Sequence, residues 1–172
     1  MSFYIYLPWD GSSHYFKDNT TSNFKVKLPE ILKLNSRLME IALVEVINFP
    51  VCDLTSSSVS RSESSNYIVK NKFRQQEEGK LYNAFIRCDV IQPQIYGSSF
   101  MNLLRILSIN SHEPSKHLSF ESPFYIPIDR KEMNSIQIQI CDETGSCLKL
   151  QSSSLDKFTL VLHVRERRKN RI

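Results

Sequence analysis

Apolar and polar residues alternate with a period of two along several short segments of the chain. In FKVKL, the apolar residues Phe24, Val26 and Leu28 would lie on one face of a strand, and the two lysines between them on the other. In SIQIQIC, residues 135–141, isoleucines and glutamines alternate in the same way. This alternation is typical of antiparallel strands with one buried and one solvated face.

The same reading along the chain predicts about eight strands and no helix. The segments are 3–7, 24–28 (stopped by Pro29), 38–49, 66–73, 81–91, 103–109, 135–141 and 157–166, with 147–151 as a short ninth candidate. Polar loops are predicted at 53–66, which is rich in serine, at 74–80 and at 110–123, and a tight turn at DETG, 142–145.

So many half-buried strands require two facing sheets or one closed sheet. Because the predicted loops are uneven in length, they favour a jelly roll over an up-and-down barrel. The sequence therefore predicts an all-β protein, a single jelly-roll β-sandwich of antiparallel strands that spans residues 1–164.

Composition agrees with a soluble globular domain. The chain has 172 residues, of which 41% are apolar and 23% charged, both ordinary values. No segment is long and apolar enough to predict a membrane span. The N-terminal MSFYIYLPWDG lacks a basic region and a long apolar run, so we predict no secretory signal and synthesis in the cytosol.

The positive charge is concentrated at the C-terminal end. The net charge is +4, and residues 165–172 form a predicted basic tail, whereas the rest of the chain has equal numbers of basic and acidic residues. A basic arm attracts nucleic acid or an acidic patch on a partner, and the alternative is a solvated end that keeps the protein soluble. The candidate contact residues are Arg165, Arg167, Arg168, Lys169 and Arg171.

No sequence motif predicts catalysis, a metal site or a cofactor site. The chain has only 4 glycines and no phosphate-binding loop, and its histidines are scattered. Glu45 and Asp89 lie within apolar strands and are expected to be exposed or to pair with Arg87 or Arg105. The four cysteines are expected to be free thiols, although Cys141 and Cys147 could face each other across the DETG turn. We therefore predict no enzyme and no small-molecule substrate.

An aromatic cluster near the N-terminus leaves two alternatives open. It could form core and subunit interface, or a platform on which sugars or bases stack, as in a cytosolic binding module for glycan or single-stranded nucleic acid. The first interpretation is favoured. The candidate interface residues are Tyr4, Tyr6, Trp9, Tyr15, Lys25 and Lys27.

Six segments in order resemble the penton (minor capsid) proteins of Polinton/Maverick elements and the related adintoviruses. They are FYIYLP, YFKDNTTSNFKVKLPEILKL, MEIALVEVINFP, CDVIQPQIYGSSFMNLLRIL, SPFYIPIDRKEMNSIQIQICDETG and FTLVLHVR. The chain departs from the family pattern in being short of glycine, as at residues 35–37, and in its serine-rich segment 53–66.

The resemblance implies a virion capsid protein, made in the host cytoplasm. It implies a single jelly roll that forms homopentamers at the icosahedral vertices, next to a double jelly-roll major capsid protein. Assignment to the penton rather than to the major capsid protein depends on length, since 172 residues suit one jelly roll and not two. Expected partners are further copies of the chain, the major capsid protein and, through the basic tail, packaged DNA.

Overall fold

A computed structural model describes residues 1–34, 38–52, 81–110, 116–151 and 157–167. The strand predicted at 66–73 and the loops predicted at 53–66 and 74–80 lie outside these residues. Within them, no helix is long and apolar enough to cross a membrane.

The described residues form thirteen β-strands. They are β1 (Ser2–Pro8), β2 (Asn23–Lys33), β3 (Met39–Phe49), β4 (Val51–Cys52), β5 (Leu81–Cys88), β6 (Gln94–Tyr96), β7 (Ser99–Met101), β8 (Leu103–Asn110), β9 (Lys116–Ser119), β10 (Ile126–Pro127), β11 (Glu132–Cys141), β12 (Leu150–Gln151) and β13 (Thr159–Glu166).

Two antiparallel sheets contain the long strands. One has the order β1-β13-β3-β10, with β9 also paired to β3, and the other has the order β2-β11-β5-β8. Strands β4 and β12 form a small separate pair, as do β6 and β7. Buried residues of both large sheets belong to one hydrophobic cluster. The prediction of an all-β, antiparallel β-sandwich is confirmed.

The alternation that predicted β2 and β11 is reproduced in their burial. Phe24, Val26 and Leu28 of β2 are buried, and so are the three isoleucines of β11, while the lysines of β2 are on the outer side. The register pairs Val26 with Ile136 and Phe24 with Ile138. Each of these strands therefore contributes one apolar face to the core.

The prediction that the strand stops at Pro29 is wrong, because β2 continues to Lys33. Strand β2 lies at the edge of its sheet, where proline's missing N–H removes no ladder hydrogen bond. The pairing is irregular at this point: Lys27 faces Ser135 and Leu32 faces Met133, so the residues around Pro29 bulge out of the ladder.

Side chains of the preceding loop pair with the outer edge of β2. Asn19 accepts a hydrogen bond from the Lys25 backbone N–H and donates one to the Lys25 carbonyl, both at 2.9 Å. The Ser12 hydroxyl accepts one from the Lys27 backbone N–H at 2.9 Å. These contacts replace part of the missing neighbour strand, which is how natural sheets protect an exposed edge.

Three phenylalanines connect the two sheets. Phe158, which precedes β13, meets Phe24 of β2 edge to face with ring centroids 6.0 Å apart, and Phe49 of β3 at 5.5 Å. All three are almost fully buried. Edge-to-face pairs of this kind stabilise a core beyond the area that they bury.

Five short strands were not predicted: β4, β6, β7, β9 and β10, of which β9 lies within the segment predicted as a polar loop, 110–123. Strands β6 and β7 form a hairpin in which Tyr96 pairs with Ser99, and Gly97 in its turn has a φ of 59°. A positive φ at this point suits glycine, which has no Cβ to clash. Strands of two to four residues carry too little alternation to be recognised.

We expect Phe158→Ala to lower the free energy of unfolding by about 3–5 kcal/mol, because it removes a ring buried between the two sheets. Urea denaturation at constant pH measures this change. Leu81→Ala is the control, since Leu81 is 72% exposed and its truncation should change stability by less than about 0.5 kcal/mol. Equal losses for the two variants would contradict this account of the core.

Candidate interaction surfaces

The outer side of the five-stranded sheet carries exposed tyrosines. Tyr4 and Tyr6 of β1 point away from the core, whereas Ile5 and Leu7 between them are buried. Tyr4 faces His163 of β13 in the register and stacks on its ring, with centroids 4.6 Å apart. We call this surface, made by Tyr4, Tyr6 and His163, the tyrosine face.

His163 is held between two hydroxyl groups. Its Nε2 lies 2.6 Å from the Ser2 hydroxyl and its Nδ1 lies 2.6 Å from the Tyr125 hydroxyl. A neutral imidazole has one N–H donor and one acceptor nitrogen, so one hydroxyl donates to the ring and the other accepts from it. Burial, and secondarily the positive charge of Arg165, lower the pKa of His163. The arrangement therefore favours the neutral ring.

Arg165, predicted to begin the basic tail, belongs to the sheet. Strand β13 continues to Glu166, so the first two residues of the predicted tail are paired in the five-stranded sheet. The Arg165 Nε is 2.7 Å from the Glu40 carboxylate, and its guanidinium lies over the Tyr125 ring at 3.3 Å. Arg167 is exposed, and its backbone N–H bonds to the Leu38 carbonyl. Arg168, Lys169 and Arg171 lie outside the described residues.

The remaining candidate interface residues divide between different environments. Lys25 and Lys27 lie on the outer side of the four-stranded sheet, and Tyr15 lies beside them with the Lys27 ammonium 4.1 Å from its ring centroid. Trp9 is partly buried and packs against the core cluster. The six candidates thus do not form one site, because Tyr4 and Tyr6 lie on the opposite sheet.

An exposed apolar patch was missed by sequence reasoning. Ile95 of β6 and Phe100 of β7 are direct cross-strand partners, 76% and 77% exposed, and Phe124 is also largely exposed. Phe124 lines a groove of about 400 Å³ together with Ile106 and with Gln94, the neighbour of Ile95 in β6. We call Ile95, Phe100 and Phe124 the hairpin patch. Exposed apolar clusters often mark sites of protein contact.

Glu45 lies in β3, whereas Asp89 lies just after the end of β5, and neither pairs with the arginines that were expected. Asp89 pairs with Arg130, with the guanidinium nitrogen 3.0 Å from the carboxylate, and not with Arg87 or Arg105. Arg105 instead stacks on the Phe120 ring at 3.7 Å. Glu45 is 3.8 Å from the imidazole of His117.

The DETG segment forms the predicted turn. The Asp142 carboxylate accepts hydrogen bonds from the Thr144 hydroxyl and two backbone N–H groups, and the Thr144 hydroxyl bond is the main cause that lowers the pKa of Asp142.

Cys141 and Cys147 face each other across the DETG turn as an isolated β-bridge, and both thiols are free, as is that of Cys88. Burial raises the pKa of Cys88 to about 12. Cys52 lies among the residues whose side chains are not described.

The described residues include no group of three or more histidine, cysteine, aspartate or glutamate side chains arranged to hold a metal ion. A scan against protein-family models and a search of curated proteins both found no match to this sequence.

We expect the stability of the protein to fall between pH 7.5 and pH 5.5 because of His163. Its pKa is lower in the folded state than the usual value of about 6.5, so the unfolded chain binds a proton more readily as the pH falls. The stabilisation is complete above the unfolded pKa and is lost as the pH decreases towards the folded pKa. Urea midpoints measured across this range test the effect.

His163→Gln should flatten this pH dependence, while His14→Gln, which changes an exposed residue, should retain it. A pH profile that is unchanged in His163→Gln would show that other groups cause it.

Proposed function

We propose that the protein is a penton-type capsid subunit that forms homopentamers at the icosahedral vertices of a Polinton/Maverick virus-like particle. In this proposal it contacts a double jelly-roll major capsid protein and has a structural role without catalysis. It is made in the host cytoplasm and functions in the virion.

The strand order is the observation that carries the proposal. With β9 and the two small pairs left aside, the other eight strands (β1, β2, β3, β5, β8, β10, β11 and β13), numbered in chain order, lie as 1-8-3-6 in one sheet and 2-7-4-5 in the other. This order supports the choice of a jelly roll among antiparallel sandwiches, and jelly rolls occur in viral capsids, lectins and cupins. Strand order alone therefore supports a capsid protein but does not separate it from a lectin or a cupin.

The sequence resemblance supports the choice among these classes. Its segments fall on the principal strands: FYIYLP is in β1, MEIALVEVINF is β3 and FTLVLHVR overlaps β13. The segment at 15–34 contains β2 and the segment at 122–145 contains β11, and these two strands are neighbours in the four-stranded sheet. The resemblance thus covers strands from both sheets and not a single motif.

A closed ring of identical subunits also needs two different surfaces on each subunit, one for each neighbour. The chain offers two such surfaces with aromatic character, the tyrosine face and the hairpin patch. We propose that the hairpin patch of one subunit packs against the tyrosine face of the next. Tyrosine suits such a contact because its ring is apolar and its hydroxyl tolerates water in the free subunit.

The native mass of the purified protein tests the proposal. We expect five times the mass of one chain by light scattering on a size-exclusion column, either alone or after co-expression with the major capsid protein. A monomer that also fails to enter particles in the co-expression would contradict the proposal.

Ile95→Ser combined with Phe100→Ser should shift the assembly to monomer without unfolding the subunit, because both side chains are exposed in the isolated chain. Leu81→Ser is the matched control, a similarly exposed apolar residue at the start of β5 that is outside the hairpin patch. An equal shift in the control would argue against a specific role for this patch.

The basic tail provides a separate prediction. Removing residues 168–172 should leave the fold intact, since it keeps Arg165 with its Glu40 partner and the backbone bond of Arg167. It should reduce retention on DNA–cellulose at low salt, because three basic residues are lost. If the intact chain is not retained at low salt, the tail has no role in binding DNA.

A further inference from the structure

Two grooves adjoin on the outer side of the four-stranded sheet. One, of about 240 Å³, is lined by Arg87, Asn102, Gln137 and Gln139, among others. The second, of about 440 Å³, includes Lys25 and again Gln137. Gln137 lines both, so the two grooves meet there and together make a depression that extends across β2, β11 and β5.

This depression has a positive character. Arg87, Lys17 and Lys25 line it, and Asp18 and Asp89 are the acidic residues in its walls. Both oxygens of Asp89 are already engaged, one by Arg130 at 3.0 Å and the other by the Gln137 backbone N–H at 2.8 Å. Because Asp89 is already paired, Asp18 is the acidic residue that remains to balance Arg87, Lys17 and Lys25, and the depression has a net positive charge. We call the two grooves together the basic trough.

Aromatic rings border the trough beside its lysines. Tyr15 is 56% exposed and lines the second groove, as does Phe16. The Lys25 ammonium lies 5.3 Å from the Phe16 ring centroid, and the Lys27 ammonium lies 4.1 Å from that of Tyr15. A flexible lysine can leave the ring face to a stacking ligand and bind a neighbouring anion.

We propose that the basic trough binds single-stranded nucleic acid. Arg87, Lys17 and Lys25 contact phosphates, and a base stacks on Tyr15 in place of the Lys27 ammonium. The side-chain amide of Gln139, which lines the first groove, contacts a base edge or sugar. Positive grooves with aromatic stacking positions are the usual means by which proteins hold unpaired strands.

The geometry favours a single strand over a duplex. Neighbouring strands of a sheet are about 4.8 Å apart, so the trough from β2 to β5 is about 10 Å across, a width suited to a few nucleotides. Stacking on Tyr15 also needs a free base face, and in a duplex both faces of each internal base are covered by its neighbours. The proposal is independent of the pentamer, since every residue in it comes from one chain.

Fluorescence anisotropy with labelled oligo(dT) over a range of salt concentrations tests the proposal on the full chain. We expect Lys25→Gln combined with Arg87→Gln to weaken binding about tenfold at low salt. The slope of log affinity against log salt should fall by about 1.4, or about 0.7 for each lost phosphate contact. Lys17→Gln with Lys25→Gln is a second version if the change at Arg87 disturbs its neighbour Cys141.

Tyr15→Ala should also weaken binding about tenfold, whereas Tyr15→Phe should bind as the unchanged protein does, because a phenyl ring still stacks. Tyr96→Ala is the aromatic control, since Tyr96 is 38% exposed and does not line the trough. Lys33→Gln with Lys131→Gln is the charge control, since both lysines are exposed and neither lines the trough.

Several outcomes would overturn the proposal. One is a loss of binding in the control variants equal to that in the trough variants, which would indicate attraction by net charge alone. Another is equally tight binding of a DNA duplex or of heparin, with no effect of Tyr15→Ala, which would indicate a general polyanion surface. A third is no measurable binding of oligo(dT) at low salt.

Discussion

The sandwich depends on the contact between its two sheets at the ring of Phe158. This ring touches Phe24 from one sheet and Phe49 from the other, both edge to face. Neither sheet could remain in water with one wholly apolar face, so each requires the other as its cover. Phe158 lies late in the sequence, just before β13. The contact between the sheets therefore depends on residues that are far apart in the chain, as does most of the strand pairing.

Packing of the inner faces leaves the outer faces free to differ. In β1 the outward positions carry tyrosines, and in β2 they carry lysines, although the inward positions of both strands are equally apolar. The two sides of the sandwich therefore have different chemistry: aromatic and hydrogen-bonded around His163 on one side, basic and rich in amides around Gln137 on the other. Such a difference allows one small domain to contact unlike partners on its two sides.

Sequence reasoning worked where a strand is long and has one buried face, as in 24–28 and 135–141. In these segments the apolar residues at every second position identify the buried face directly. It failed where the outcome depends on distant residues. Arg165 was assigned to a tail since its partner Glu40 is 125 positions away in the chain. Pro29 was taken as a strand end because the local sequence does not show that β2 lies at the edge of its sheet. The exposure of Ile95 and Phe100 was also hidden, since apolar residues in a short segment look the same whether they are core or surface.

The pairing of Asn19 with the backbone of Lys25 limits how the protein can aggregate. A bare edge strand would accept the edge of another molecule, and repetition of that step gives an open fibre. With the Lys25 N–H and carbonyl already bonded, and the Lys27 N–H bonded to Ser12, this edge offers fewer free groups to a foreign strand. Aggregation by backbone pairing is thus hindered on one flank of the domain, even when many copies are close together.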